Sequence, residues 1–301
     1  MISTVFFGSH HFSTPILQQL IDSGIFDIKL VVTQPDRPVG RKQEIQMTGV
    51  KTLALKYNIP VEQPASLKDY TLPVSADINI VCKYGLIIPE KILNFAKHGS
   101  INSHASLLPK YRGASPIQSV LVHGEKETGV TMMVMDKEMD HGPILAQGKL
   151  AINPDENCFE LSERLAPLEA ELLIKTIPDF IAGKITPQIQ NHEEATFCKE
   201  LTRDDGKIDW NRTATEIYNL YRGMTPWPGI WTEWNGKRLK LLKIAPADMK
   251  IETGKLTAKD GHLYMGAGQN TAIEIFELQL EGKTAIDAKG FINGFKTTLS
   301  S

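Results

Sequence analysis

Long apolar runs are missing from this sequence. Its most hydrophobic stretches, such as residues 25–32 with Asp27 and Lys29 inside, fall far short of the roughly 20 residues that a membrane-crossing helix needs. The N-terminus Met1-Ile2-Ser3-Thr4-Val5 has no basic run ahead of its apolar residues, so no secretory leader is expected. Cysteine is scarce. Cys82, Cys158 and Cys198 are an odd number without the CxxC or Cys/His spacing of a zinc site, which argues against a disulfide framework or a metal and for the reducing cytoplasm. Charge of one sign is missing too. With 33 Lys plus Arg against 35 Asp plus Glu the net charge is −2, so any contact with a polyanion must be local. Hydrophobic residues at 42%, with 23 Gly and 17 Pro spread along the chain, exclude collagen, a coiled coil and bulk disorder. What remains is a globular chain of 301 residues, long enough for two domains.

The first half alternates strand-like runs with amphipathic segments, the pattern of an α/β fold with a mostly parallel sheet and helices on both faces. Residues 4–8, 28–32, 78–81 and 130–135 read as strands, and residues 50–57 and 115–122 as helices. Residues 156–183 form the longest helical stretch, which Pro167 and Pro178 should kink or split. Residues 184–206 are polar and suit a linker. Beyond them one helix (213–222) is followed by five short strand-like runs, which suggest a small OB-fold-like β-barrel. All four Trp (210, 227, 231, 234) fall in this second part and read mostly as packing residues. The expected division is 1–189 for a first domain, 190–205 for a linker and 206–301 for a second domain. Between residues 234 and 259 seven cations face only Asp248 and Glu252. That stretch is either a solvated strand face or a phosphate-contacting surface.

Segment 101–116 carries the most chemistry. Asn102 and His104 are spaced i, i+2, so on an extended strand their side chains project to the same side. An amide beside an imidazole can hold a developing oxyanion while the imidazole relays protons, although two residues of these types also cap ordinary loops. Ser106-Leu107-Leu108-Pro109, followed by Tyr111-Arg112-Gly113, is a loop able to grip a flat heterocycle. Asp140, just before His141-Gly142-Pro143, is placed to point from a sheet's C-terminal edge into the same crevice, where a carboxylate favours imidazolium.

Together these residues resemble the 10-formyltetrahydrofolate-dependent formyltransferases. The family's Asn-x-His-x-Ser-Leu-Leu-Pro-x-x-x-Gly segment, with an Asp 36 residues after the His, is met by Asn102, His104, Ser106 to Pro109, Gly113 and Asp140. Tyr84-Gly85-Leu86, continuing through Ile87-Ile88-Pro89, is similar to the family's folate-side loop, although Cys82-Lys83 stands where small apolar residues are usual. Segments 33–41, 209–210 with 225–229, and 278–285 extend the resemblance, from about residue 4 to residue 295, to the branch whose acceptor is the methionine of charged initiator tRNA. Two departures touch acceptor recognition. Lys42-Gln43-Glu44-Ile45 replaces further Lys, and Gly8-Ser9-His10-His11-Phe12 looks a little like the sugar-nucleotide formyltransferases.

The resemblance implies formyl transfer from 10-formyltetrahydrofolate to the methionyl α-amine, without metal, by a cytoplasmic enzyme expected to be monomeric. It implies Asn102 and a protonated His104 on the oxyanion, with Asp140 orienting and charging the imidazole. Tyr84, Gly85, Leu86, Ser106, Leu107, Leu108, Pro109 and Gly113 would border the folate. Arg37, Arg41 and Lys42 would probe the acceptor stem, with the basic 237–259 stretch as a second phosphate surface. A sugar-nucleotide formyltransferase and an inert folate- or RNA-binding module are the competing readings. The strand-rich second part disfavours the first, and the presence of all three polar residues disfavours the second.

Overall fold

Strands buried on both faces require short, almost unbroken apolar runs, and the first half of the chain builds its sheet from them. The computed structural model describes residues 1–39 and 44–295. Up to residue 198 the elements are β1 (Ile2–Gly8), α1 (Ser13–Asp22), β2 (Phe26–Val32), β3 (Arg37–Val39), β4 (Glu44–Gln46), α2 (Gly49–Lys56), β5 (Val61–Glu62), β6 (Ile78–Cys82), α3 (Glu90–Leu93), β7 (Ser100–His104), β8 (Arg112–Gly113), α4 (Pro116–Val122), β9 (Glu127–Val134), β10 (Ile144–Ala151), α5 (Cys158–Ile181) and β11 (Phe197–Cys198). Backbone contacts divide the chain into two units. The first comprises Met1–Pro116, Glu127–Ala151 and Ser162–Cys198, and the second Ile117–Lys126, Ile152–Leu161 and the chain from Lys199 onward.

In the first unit seven strands form one sheet in the order β10-β9-β7-β6-β1-β2-β5. Strands β5, β2, β1, β6 and β7 run parallel, while β9 runs antiparallel to β7. The chain moves outward from β1 through β2 to β5 and returns to the other side of β1 as β6 and β7. This reversal leaves a crevice at the C-terminal ends of β1 and β6, where Gly8 pairs with Cys82, and such switch points are where α/β sheets bind ligands. Val5, Phe7, Leu30, Val32 and Val81 face one core with Leu67, Leu72 and Tyr84, while the intervening Phe6 and Ile80 are equally buried. Of the expected kink or split, Pro167 and Pro178 do not bring about a split: α5 runs unbroken through both. Burial of Leu161, Leu165, Leu173 and Ile177 along it offsets the backbone donor that each proline forfeits.

In the second unit the elements are α6 (Ala214–Met224), β12 (Ile230–Trp234), β13 (Lys237–Ala247), β14 (Leu256–Lys259), β15 (His262–Ala267), β16 (Thr271–Leu280), β17 (Ile286–Asp287) and α7 (Ala288–Gly294). A reciprocal cap starts α6: the Thr213 hydroxyl accepts from the Glu216 N–H, and the Glu216 carboxylate accepts from the Thr213 N–H. The strands form an antiparallel sheet in the order β12-β13-β16-β15-β14, with β17 also on β16. Ile217, Leu239, Leu241, Ile273, Ile275, Leu278 and Phe291 fill its core. Trp231 is buried and Trp210 and Trp234 pack against that core, whereas Trp227 is 54% exposed. On β13, Lys237, Lys240 and Lys243 are exposed between buried Leu239, Leu241 and Ile244. The Arg238 guanidinium stacks on Trp231, 3.9 Å from the ring centroid. Among the described residues no helix is long and apolar enough to cross a membrane.

Candidate active site

Strand β7 ends in the crevice and puts Asn102 and His104 on one face, with Ser103 on the other. Asp140 joins the pair. Its Oδ1 accepts from Asn102 Nδ2 at 3.1 Å and lies 3.5 Å from His104 Nδ1, and its Oδ2 accepts from the Gly113 N–H at 2.8 Å. His104 Nε2 lies 2.9 Å from the Tyr111 carbonyl oxygen. A carbonyl only accepts, so the neutral ring carries its proton on Nε2 and leaves Nδ1 with a lone pair. Tyr111 and Asp140 both hold left-handed backbone, with φ of 61° and 50°. Non-glycine residues in that region cost of order 1–3 kcal/mol and gather at functional sites.

Burial is the largest influence on His104 and pushes its pKa below the usual imidazole value. Asp140 and the Tyr111 carbonyl pull it back, while Lys83 adds to the lowering. Burial thus works against the protonated ring that the transfer is expected to use, and Asp140 works for it. Taking a ring that is 6% exposed out of water outweighs a carboxylate 3.5 Å away. In that tautomer Nδ1 faces Asp140 Oδ1 without a proton between them.

Asp140 does not arrive from the C-terminal end of a parallel strand, as its position in the sequence suggests. Because β9 is antiparallel, Val134 pairs with Ile101 while Thr131 lies beside His104. The loop 135–143 must fold back to reach the face that carries Asn102 and His104. Gln190 holds it there, donating through Nε2 to the carbonyls of Asp140 at 3.0 Å and Gly142 at 2.7 Å. Its Oε1 accepts from Arg112 Nε at 3.1 Å and Nη2 at 2.6 Å. Arg112 was expected only as part of the loop 111–113, and Gln190 only as part of a polar linker. A buried, fully bonded amide looks the same in a sequence as a solvated one.

The remaining expected site residues play varied parts. Ser106 and Leu108 are buried, and their corner is tied down by Thr131, whose hydroxyl donates to the Ser106 carbonyl at 2.7 Å and accepts from the Leu108 N–H at 3.1 Å. Leu107 and Pro109 are half-buried. Tyr84 packs edge-on against Phe7 in the core, Gly85 turns with φ of 82°, and Leu86 packs at the edge of that core. A hollow of about 400 Å³ is lined by Glu90, Leu93 and Asn94 and, flanking Asp140, by residues 135–138 and His141. The expected folate loops do not line it. Arg37 is exposed on β3, which pairs with β4 in a short hairpin, whereas Arg41 and Lys42 lie outside the described residues. Among the described residues no group of three or more His, Cys, Asp or Glu is arranged to hold a metal ion.

The chain matches the formyl transferase family over residues 2–177 and the formyl transferase C-terminal domain over residues 200–296. It is 43% identical over 298 residues to a methionyl-tRNA formyltransferase of Koribacter versatilis, a match covering 97% of this chain and 95% of that protein. A methionyl-tRNA formyltransferase of Enterococcus faecalis is 42% identical over 302 residues, covering 98% and 96%. The chain belongs to the methionyl-tRNA formyltransferase family. As a formyltransferase it shares its fold with an N-formyltransferase from Helicobacter canadensis, solved in complex with folinic acid and dTDP-3-aminofucose. The TM-score is 0.69 at 19% identity, over 91% of this chain and 99% of that one. At that identity the likeness concerns the fold and not the acceptor.

Proposed function

We propose that this formyltransferase moves the formyl group of 10-formyltetrahydrofolate to the α-amine of methionine esterified to initiator tRNA, in the cytoplasm, ahead of translation initiation. The triangle of Asn102, His104 and Asp140 carries this reading, in a chain whose close relatives are methionyl-tRNA formyltransferases. The donor supplies the formyl carbon and departs as tetrahydrofolate. The acceptor amine must be neutral to attack, and His104 Nδ1 takes the proton that its nitrogen sheds. The imidazolium so formed pairs with Asp140 Oδ1. Asn102 Nδ2 gives one hydrogen to Asp140 and keeps a second for the negative charge developing on the formyl oxygen. His104 then returns the proton to the nitrogen that leaves.

The hollow beside loop 135–143 fits a flat heterocycle, with Leu93 and Met135 as apolar walls and Glu90, Asn94 and Asp136 as acceptors for ring N–H groups. Tyr84, Gly85, Leu86 and residues 106–109 with Gly113 act in this reading as the frame that fixes the crevice. Exposed Arg37, with Arg41 and Lys42, would contact the acceptor stem, and Lys237, Lys240 and Lys243 a further phosphate run.

The deciding assay incubates the enzyme with 10-formyltetrahydrofolate and charged initiator tRNA and measures acid-stable formyl-methionine. His104→Ala and Asp140→Ala should each lower turnover by about 10² or more, roughly 2.7 kcal/mol. The double variant should be little worse, because the carboxylate acts through the imidazole. Near-wild-type turnover in either single variant, or formylation of an amino-sugar nucleotide in place of the tRNA, would overturn the reading.

A further inference from the structure

Between β2 and α2 the chain makes an excursion in which, among the described residues, β3 and β4 pair only with each other. A lone two-stranded hairpin is marginally stable in water and fixes no direction for itself. Its aim depends on the two stems it stands on, and these are cross-linked. Asp36, just before β3, accepts from Lys51 Nζ through Oδ2 at 2.6 Å and from Gln63 Nε2 through Oδ1 at 2.7 Å. Lys51, in the first turn of α2 beyond the hairpin, also donates to Gln63 Oε1 at 2.6 Å. The three side chains close a ring across the base of residues 37–50, with Lys51 and Asp36 only 19% and 23% exposed.

The ring is fastened to the crevice. Gln63 Nε2 also donates to the Gln34 carbonyl at 2.9 Å. The Gln34 N–H donates to Ser9 Oγ, just after β1, at 2.9 Å, and Gln34 Nε2 donates to the Tyr84 carbonyl, just after β6, at 2.8 Å. That amide passes so close over Gly85 that a Cβ there would lie 2.6 Å from it. On the other stem Thr48 caps α2, accepting from the Lys51 N–H at 3.1 Å, and its hydroxyl lies 3.0 Å from that of Thr33. An isolated exposed ion pair holds little, but here acid and base each make a second bond, to one amide whose donors and acceptor are all engaged. By charge alone Asp36 opposes a polyanion, and it also occupies Lys51, so any help it gives to RNA binding is geometric. Resting on the reading of this hairpin as the acceptor-stem probe, we propose that Asp36, locked by Lys51 and Gln63, is a positioning residue for the RNA acceptor. The ring holds the hairpin in the direction from which Arg37 meets the acceptor stem. A hairpin freed at its base samples other directions, and the apparent affinity falls by the fraction of time it spends in the right one.

The test is the kinetics of the full chain on charged initiator tRNA at several salt concentrations, with equilibrium binding of 10-formyltetrahydrofolate alongside, in wild type, Asp36→Asn and Gln63→Leu. KM for tRNA should rise about fivefold to tenfold in both variants. The kcat at saturating tRNA and the donor affinity should stay near wild type. So should the slope of KM against salt, because neither variant removes a cation that meets a phosphate. The sign is diagnostic. If Asp36 acted through its charge, its loss would tighten the binding of a polyanion and lower KM, and Gln63→Leu, which changes no charge, would do nothing. A KM that fell or stayed put in either variant would overturn the proposal, as would a fall in kcat and donor affinity alongside the rise in KM, which marks a general loosening of the fold. A wild-type enzyme that bound the donor but left charged initiator tRNA unformylated would instead overturn the reading of the acceptor, and the proposal with it.

Discussion

A buried acid that folds in its protonated form takes up a proton on folding, and Glu169 makes that uptake measurable. Its side chain is fully buried, and burial raises its pKa from 4.5 to about 8. Since the folded pKa lies above the unfolded one, the stability this site allows is complete below pH 4.5 and is lost as the pH climbs towards 8. Each unit in that window costs about 1.4 kcal/mol, so by pH 7 the penalty is about 3 kcal/mol. Glu169→Gln keeps the shape of the neutral acid and cannot ionise. Its stability relative to wild type should therefore grow by about 3 kcal/mol between pH 5 and pH 7.5, a relative gain of roughly 6–12 °C in Tm for a unit of this size. Thermal and urea melts of both proteins, followed by circular dichroism at pH 5, 6, 7 and 8, would measure it. Every other titrating group cancels in the comparison. A stability difference that stayed constant across the four pH values would refute the claim that Glu169 is protonated in the folded enzyme.

Gln190→Ala removes the two donors that hold the Asp140 and Gly142 carbonyls; kcat should fall about tenfold with little change in KM for tRNA, as expected when a catalytic group is misplaced. A fall in binding alone would assign Gln190 to the acceptor. Arg41→Ala should raise KM for tRNA and flatten its salt dependence by roughly one phosphate contact, with donor binding unchanged. Identical salt curves for variant and wild type would take this loop out of the acceptor site.

The meeting of Asn102, His104 and Asp140 was legible because each member is tied to a local signal. Asn102 and His104 share a face by the two-residue period of a strand, and Asp140 sits at a fixed distance in a motif. Their protonation state was not legible. It depends on how deeply His104 is buried and on its approach to Asp140, 36 residues later in the chain, both of which only the fold decides. The route of Asp140 was hidden for a similar reason. Periodicity identifies β9 as a strand, but its direction is decided by which neighbour it pairs with. The apolar run at 130–135 suits either orientation. Nor does a linear reading see that Ile117–Lys126 and Ile152–Leu161 group with the second unit.

The polar stretch from 184 to 206 shows how composition misleads and what resolves it. Gln, Asn, Glu and Thr in that density suit a solvated connection, yet the same residues are what a hydrogen-bonded buttress needs. Burial separates the two cases. Gln190 is 4% exposed with both side-chain polar atoms engaged, and Thr196 accepts from the Tyr111 N–H through Oγ1 at 2.8 Å and from the Arg112 N–H through its carbonyl at 2.8 Å. The next residues, Phe197 and Cys198, pair in parallel with Arg112 and Gly113. Gly113 has φ of 118°, and a Cβ there would collide with the Cys198 carbonyl, so the motif glycine is required by the strand that passes over it. Its N–H is the one that reaches Asp140 Oδ2. A residue expected to border the folate is thus a hinge between the Asp140 carboxylate and the segment that braces it, and any side chain at 113 would push the two apart.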